Sequence, residues 1–116
     1  MMLPDAGRAF VDRAKVVAYL LNPDHPDGGT KAAYFAAFGF RRQSWRAFAD
    51  ALVEQGTTNE VFRVAQSPFG VRYVVAGPMR SPDGRRPWIV TVWIVETPGP
   101  GAGGPSAPRL VTAYPA

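Results

Sequence analysis

The chain contains no cysteine and one histidine, and lysine is scarce, with two against eleven arginines. Without thiols there is no disulfide framework, no thiolate metal site and no cysteine nucleophile. One histidine is also too few for a structural zinc site. No apolar run approaches the length of a membrane span. The opening "MMLPDAGRAF" lacks a basic segment leading into a long apolar one, so no signal peptide is expected. The expected setting is therefore the cytoplasm, or delivery as part of a larger secreted protein. Also missing are a P-loop, a dinucleotide fingerprint, a nucleophile elbow, paired glutamates at glycosidase-like spacing and an acidic metal cluster. These absences argue against an energy-using or metal-dependent enzyme, and neither a cofactor nor a metal is expected.

What is present suits one compact core. A length of 116 residues with 47% hydrophobic content predicts a single domain over 1–116. The net charge of +4 comes mostly from arginine, whose planar fork matches phosphate oxygens in pairs. The same usage also follows from the composition of a high-GC bacterial genome.

The first half has helical signals. "FVDRAKVVAYLLNP" offers Asp12 as cap, an apolar face through Val17, Leu20 and Leu21, and Pro23 as stop. "GTKAAYFAAFGF" predicts a short helix ended by Gly39. "SWRAFADALVEQG" sets Trp45, Phe48, Ala49, Leu52 and Val53 at helical spacing, with Ser44 as cap and Gly56 as stop. The second half reads as strands: "EVFRVAQ", "VRYVVAG", "RPWIVTVWIVE" and "RLVTAYP". A flexible Gly/Pro-rich loop is expected over 97–108. The predicted architecture is α+β, with about three N-terminal helices on one face of a four-stranded antiparallel sheet. The Trp88, Val90, Val92 and Ile94 face is expected to be covered, leaving Thr91 and Trp93 on the half-open one. From the last strand, Thr112 and Tyr114 are expected to join them with Leu110; the alternative set is Arg109, Val111 and Ala113.

Two groups of residues carry candidate chemistry. In "NPDHPDGGTK" the sole histidine, His25, is the one side chain whose ordinary pKa lies near neutrality, hence the natural proton shuttle. Lys31 stands in the first turn of a helix, where the macrodipole disfavours a cation unless an anion is near. Gly28 and Gly29 before it are expected to leave amides open to a phosphate or carboxylate. The plainer alternative is a turn histidine and a lysine snorkelling beside Asp24 and Asp27. The second group is the half-open sheet face: Arg63 or Arg72, Tyr73, Thr91, Trp93, Thr112 and Tyr114. Arginines and hydroxyls there suit a phosphodiester and an aromatic ring suits a base, whereas a second small core would use the same rings.

The segments "YLLNPDHPDGGTKAAYFAAFGF", "SPDGRRPWIVTVWIVE" and "PRLVTAYP" resemble an uncharacterised bacterial family, domain of unknown function 6883, over about Leu3 to Pro115. The order of helices and then four strands is in turn similar to the barnase, EndoU, colicin E5/D and RelE group of small ribonucleases, many of them toxin domains. This second resemblance implies a metal-independent ribonuclease that cleaves RNA by general acid-base transesterification. It casts His25 as base or acid, Lys31 with an arginine as phosphorane stabilisers, and Thr112 with Thr91 as phosphate donors, while Arg63, Arg72 and Arg109 would bind the substrate. Trp93 or Tyr114 would stack the base. One histidine cannot be both acid and base, and the sequence does not name the second group. The implied partners are RNA and an acidic immunity protein or antitoxin, with no membrane. The rival reading is a non-catalytic binding module for an anionic ligand or a protein.

Overall fold

The computed structural model describes residues 1–101 and 103–116. A first helix, α1, spans 13–20: one α turn at Arg13–Lys15 runs into a π-helical turn at Val16–Leu20. Helix α2 is Gly29–Ala36, and α3 is Trp45–Thr58, led in by a 3-10 turn at Arg42–Ser44. Four strands follow: β1 (Val61–Ser67), β2 (Gly70–Pro78), β3 (Trp88–Glu96) and β4 (Arg109–Pro115). They form one antiparallel meander in the order β1-β2-β3-β4, so the chain is an α+β fold with three helices packed on a four-stranded sheet. Segment 97–108 carries no helix or strand among its described residues, and residue 102 lies outside them.

The helices end where local chemistry ends them, with two exceptions to the expected pattern. Gly39 closes α2 with φ at 100°, a conformation that favours glycine. Gly56 stops nothing: α3 continues through it to Thr58, and a Cβ there would lie 2.5 Å from the Trp93 ring. It is a packing glycine. In α1 the π turn shifts the buried stripe by one residue, so that Val16, Leu20 and Leu21 are buried while Val17 is only partly covered. Neither Asp12 nor Ser44 makes a side-chain cap bond, although each holds the N-cap position.

The helices cover the opposite face of the sheet from the one expected, although Val90 and Ile94 of the expected face are buried as well. Trp93, Thr91 and Ile89 are fully buried under α3, whereas Trp88 is 62% exposed on the helix-free side. The reason is a buried polar network that a reading by residue type misses. Gln55 of α3 donates from Nε2 to the Ile89 carbonyl at 3.1 Å and accepts the Thr91 hydroxyl at 2.6 Å; that hydroxyl accepts the Trp93 indole N–H at 2.8 Å. Gln55, Thr91 and Trp93 thus satisfy one another, and no buried side-chain polar atom among the described residues is left without a partner. Gly56 supplies the space for the indole.

A bulge in β4 completes the placement. Trp93 pairs with Leu110 but Val92 pairs with Thr112, which leaves Val111 unpaired. Leu110 and Ala113 therefore both face the core and are fully buried, while Arg109, Thr112 and Tyr114 share the opposite face with Ile94, Val92 and Val90, Thr112 standing on the edge strand where Tyr19 of α1 reaches it. The expected set of Leu110, Thr112 and Tyr114 is split: Leu110 leaves it and Arg109 joins. At the outer edge of β4, Phe10 pairs with Arg109 as an isolated bridge, and α1 and α2 pack beside the strand.

Candidate functional site

Three of the side chains singled out from the sequence meet at a fourth that was not. Tyr19, on the π turn of α1, accepts a hydrogen bond at its Oη from Lys31 Nζ at 2.9 Å and shares another with Thr112 Oγ1 at 3.1 Å. His25 lies edge-on to the Tyr19 ring, with centroids 4.9 Å apart and planes at 70°. Lys15, one helical turn before Tyr19, places its ammonium 5.5 Å from the ring centroid, and that of Lys31 is 5.2 Å away. All five residues are half-buried. They come from α1, the loop after it, α2 and β4, so the site exists only when the helices dock on the β4 edge.

The electrostatics follow from this crowding. Burial alone would raise the Tyr19 pKa, but the hydrogen bonds from Lys31 and Thr112 and the charges of Lys31 and Lys15 outweigh it. The net result is a phenol below its ordinary 10.0, one that loses its proton more readily than a free tyrosine.

The turn that carries His25 is tightly tied. His25 Nδ1 accepts the Asp27 and Gly28 amides, both at 3.0 Å, and the His25 carbonyl accepts the Gly29 amide at 2.9 Å. The glycine amides expected to be open to an anion are therefore consumed within the turn. The glycines serve close approach instead: a Cβ at Gly28 would lie 2.3 Å from the Tyr19 carbonyl oxygen, and one at Gly29 would lie 2.7 Å from that of Pro23. With Nδ1 accepting two donors, the neutral His25 ring carries its proton on Nε2. Lys31 donates also to the Asp27 carbonyl at 3.3 Å, and it forms no ion pair with Asp24 or Asp27.

The remaining sequence candidates are spread over the sheet. Thr91 and Trp93 are sealed in the core and reach no surface, which corrects their assignment to substrate binding; the Gln55 network that satisfies them is the cause. Tyr73 sits on that same core face. Arg72 and Arg109 flank Ile94 on the helix-free face, where a hollow of about 500 Å³ is lined by Phe69, Arg72, Glu96 and Arg109. Arg109 is ion-paired there with Glu96. Arg63 shares the row of Val74, Val92 and Thr112 but stands on β1, at the opposite edge from β4. Tyr114 is 37% exposed beside Val90. Among the described residues no cluster of His, Asp and Glu could hold a metal, and no helix is long and apolar enough to cross a membrane.

Sequence reasoning missed Tyr19 and Lys15. Their spacing of four residues in a helix puts them on one face, but Tyr19 sits within "VVAYLL", where an aromatic residue blends into the apolar stripe.

The fold has a counterpart among solved structures. A chain of the "Contact-dependent growth inhibition toxin - immunity protein complex from Klebsiella pneumoniae 342" superposes with a TM-score of 0.67 at 13% identity, covering 97% of each chain. No curated protein matches. The family model described as Domain of unknown function (DUF6883) matches residues 2–116, and the chain belongs to that family.

Proposed function

We propose that the protein is a metal-independent ribonuclease-like domain of bacterial toxin type, acting at the cluster around Tyr19. The observation that carries this reading is the convergence of Lys31, Thr112 and His25 on one phenol, with Lys15 alongside. Two ammonium groups and a hydroxyl at one half-buried spot suit a phosphodiester whose charge rises as it becomes a phosphorane. Lys31 and Lys15 would stabilise that charge and Thr112 would donate to a phosphate oxygen. Arg109, Arg72 and Arg63, with Tyr114, lie on the helix-free face and suit the flanking nucleotides as phosphate and base contacts.

The fold shared with a chain of a toxin–immunity complex supports the toxin setting, and the charge of +4 fits its toxin side better than a partner that must shield a nuclease. The corresponding partner of this chain is an acidic immunity protein. One observation favours the rival reading of a non-catalytic anion-binding module: both donors on His25 Nδ1 belong to the turn, so the sole imidazole has no free acceptor nitrogen.

Incubation of the purified chain with total RNA and tRNA in EDTA, resolved on a denaturing gel, separates the two readings. We expect cleavage by wild type and loss of cleavage in Lys31→Ala. Intact RNA that is nevertheless retarded on a native gel, with the protein folded, would establish the binding module instead.

A further inference from the structure

The phenol of Tyr19 is hydrogen-bonded by Lys31 and Thr112, and its ring is flanked by Lys15 and His25. Lys31 donates to its oxygen at 2.9 Å, Thr112 shares a hydrogen at 3.1 Å, and two ammonium groups stand within 5.5 Å of its ring. A neutral phenol needs no such surroundings, whereas a phenolate takes a hydrogen bond from each donor and balances a positive charge. His25 packs against this ring in a T-shaped pair, while its Nδ1 ties the turn whose Gly28 approaches Tyr19 closely.

We infer that Tyr19 is the base of this site and that His25 is a positioning residue that holds the Tyr19 ring, an inference that rests on the ribonuclease reading. The step balances without a metal. The phenolate oxygen takes the proton of a ribose 2′-hydroxyl, and the 2′-oxygen's electron pair forms the new bond to phosphorus. The bond from phosphorus to the 5′-oxygen then breaks, and its pair stays on the leaving oxygen, which takes a proton from water. The hydroxide so formed removes the proton from Tyr19 and restores the phenolate. Lys31 and Thr112 hold the phenolate before the transfer and turn to the phosphorane oxygens as its charge moves there. The groups facing the phenol are Lys15 from its own helix, His25 from the loop, Lys31 from α2 and Thr112 from β4. The charges acting on it are both positive, and its pKa is lowered below 10.0 despite burial. The phenolate fraction, and with it the cleavage rate, should therefore rise with pH up to that lowered value and level off above it.

The test compares wild type, Tyr19→Phe and His25→Asn on a short single-stranded RNA in EDTA across pH. Phenylalanine keeps the ring that packs against His25, and asparagine keeps an acceptor for the two turn amides but cannot carry a proton. We expect Tyr19→Phe to lose at least about 100-fold in rate. His25→Asn should stay within about tenfold of wild type, with its pH limb in place. Cleavage by Tyr19→Phe at the wild-type rate, or a His25→Asn variant as inactive as Tyr19→Phe, would overturn the assignment and leave the ribonuclease reading standing. Wild type that leaves RNA intact would instead remove the ribonuclease reading and this step with it. A second measurement needs no RNA: the difference in ultraviolet phenolate absorbance between wild type and Tyr19→Phe during a pH titration. A midpoint below 10.0 is expected, and one at or above it would overturn the base assignment.

Discussion

At the scale of single residues, Gly28 shows how little freedom the site has. Its position is set by the approach of the loop to α1, where an added Cβ would lie 2.3 Å from the Tyr19 carbonyl oxygen and 2.8 Å from Cδ1 of its ring. Neither contact can relax cheaply, because one is backbone and the other is the ring at the centre of the cluster. We expect Gly28→Ala to cost about 1–3 kcal/mol of stability, the usual range for overpacking, measurable as a lowered urea midpoint at constant slope. It should also displace the Lys31 hydrogen bond to Tyr19, so RNA cleavage should fall further than the stability loss explains. A Gly28→Ala protein with unchanged midpoint would mean that the loop moves aside freely. In that case His25 is not a rigid support for Tyr19.

At the scale of elements, the α3–β3 contact holds the sheet against the helices, and its strength lies in a polar network inside an apolar face. Removing the Thr91 hydroxyl leaves both Gln55 Oε1 and Trp93 Nε1 without it, although each is buried. Thr91→Val should therefore cost about 1–3 kcal/mol, more than an exposed Thr-to-Val change in a strand, as read by chemical unfolding. This element also explains why the faces of the sheet were misread. Both faces of β3 are apolar enough to be covered, and Thr91 and Trp93 look like the more polar choice until Gln55 is placed opposite them. Gln55, near the end of α3, is not singled out by the sequence, yet it is 1% exposed. Strand positions, by contrast, follow from alternation and turn residues alone; β4 spans the quoted "RLVTAYP". The bulge at Val111 has no glycine or other local mark, so the split between Leu110 and Thr112 arises only in three dimensions. The β2–β3 turn is another such contact. Arg85 and the turn's own bonds hold the Asp83 carboxyl down to about 2, and Arg85 also donates to the Ala37 carbonyl at the end of α2.

At the scale of the whole molecule, charge and topology combine. His25, Lys31 and Thr112 were readable as chemistry-bearing residues, but their meeting at Tyr19 was not, because it depends on how α1 and α2 dock on the β4 edge. That docking puts both lysines of the chain at one place while the arginines are distributed elsewhere. A single-stranded RNA bound at the cluster and along the helix-free face would displace counterions from each phosphate contacted. With Lys15, Lys31, Arg63, Arg72 and Arg109 engaged, the slope of log K against log salt should be about −3.5, since each contact to a single strand contributes about −0.7. Filter binding with a non-cleavable RNA at several salt concentrations measures it. Replacing both lysines by methionine should remove about two contacts and flatten the slope to about −2, whereas Arg63→Met, at the far edge of the sheet, should remove one and flatten it only to about −2.8. A slope unchanged by loss of both lysines would mean that RNA binds elsewhere on the basic surface, and the Tyr19 cluster would then lose its claim to the phosphate.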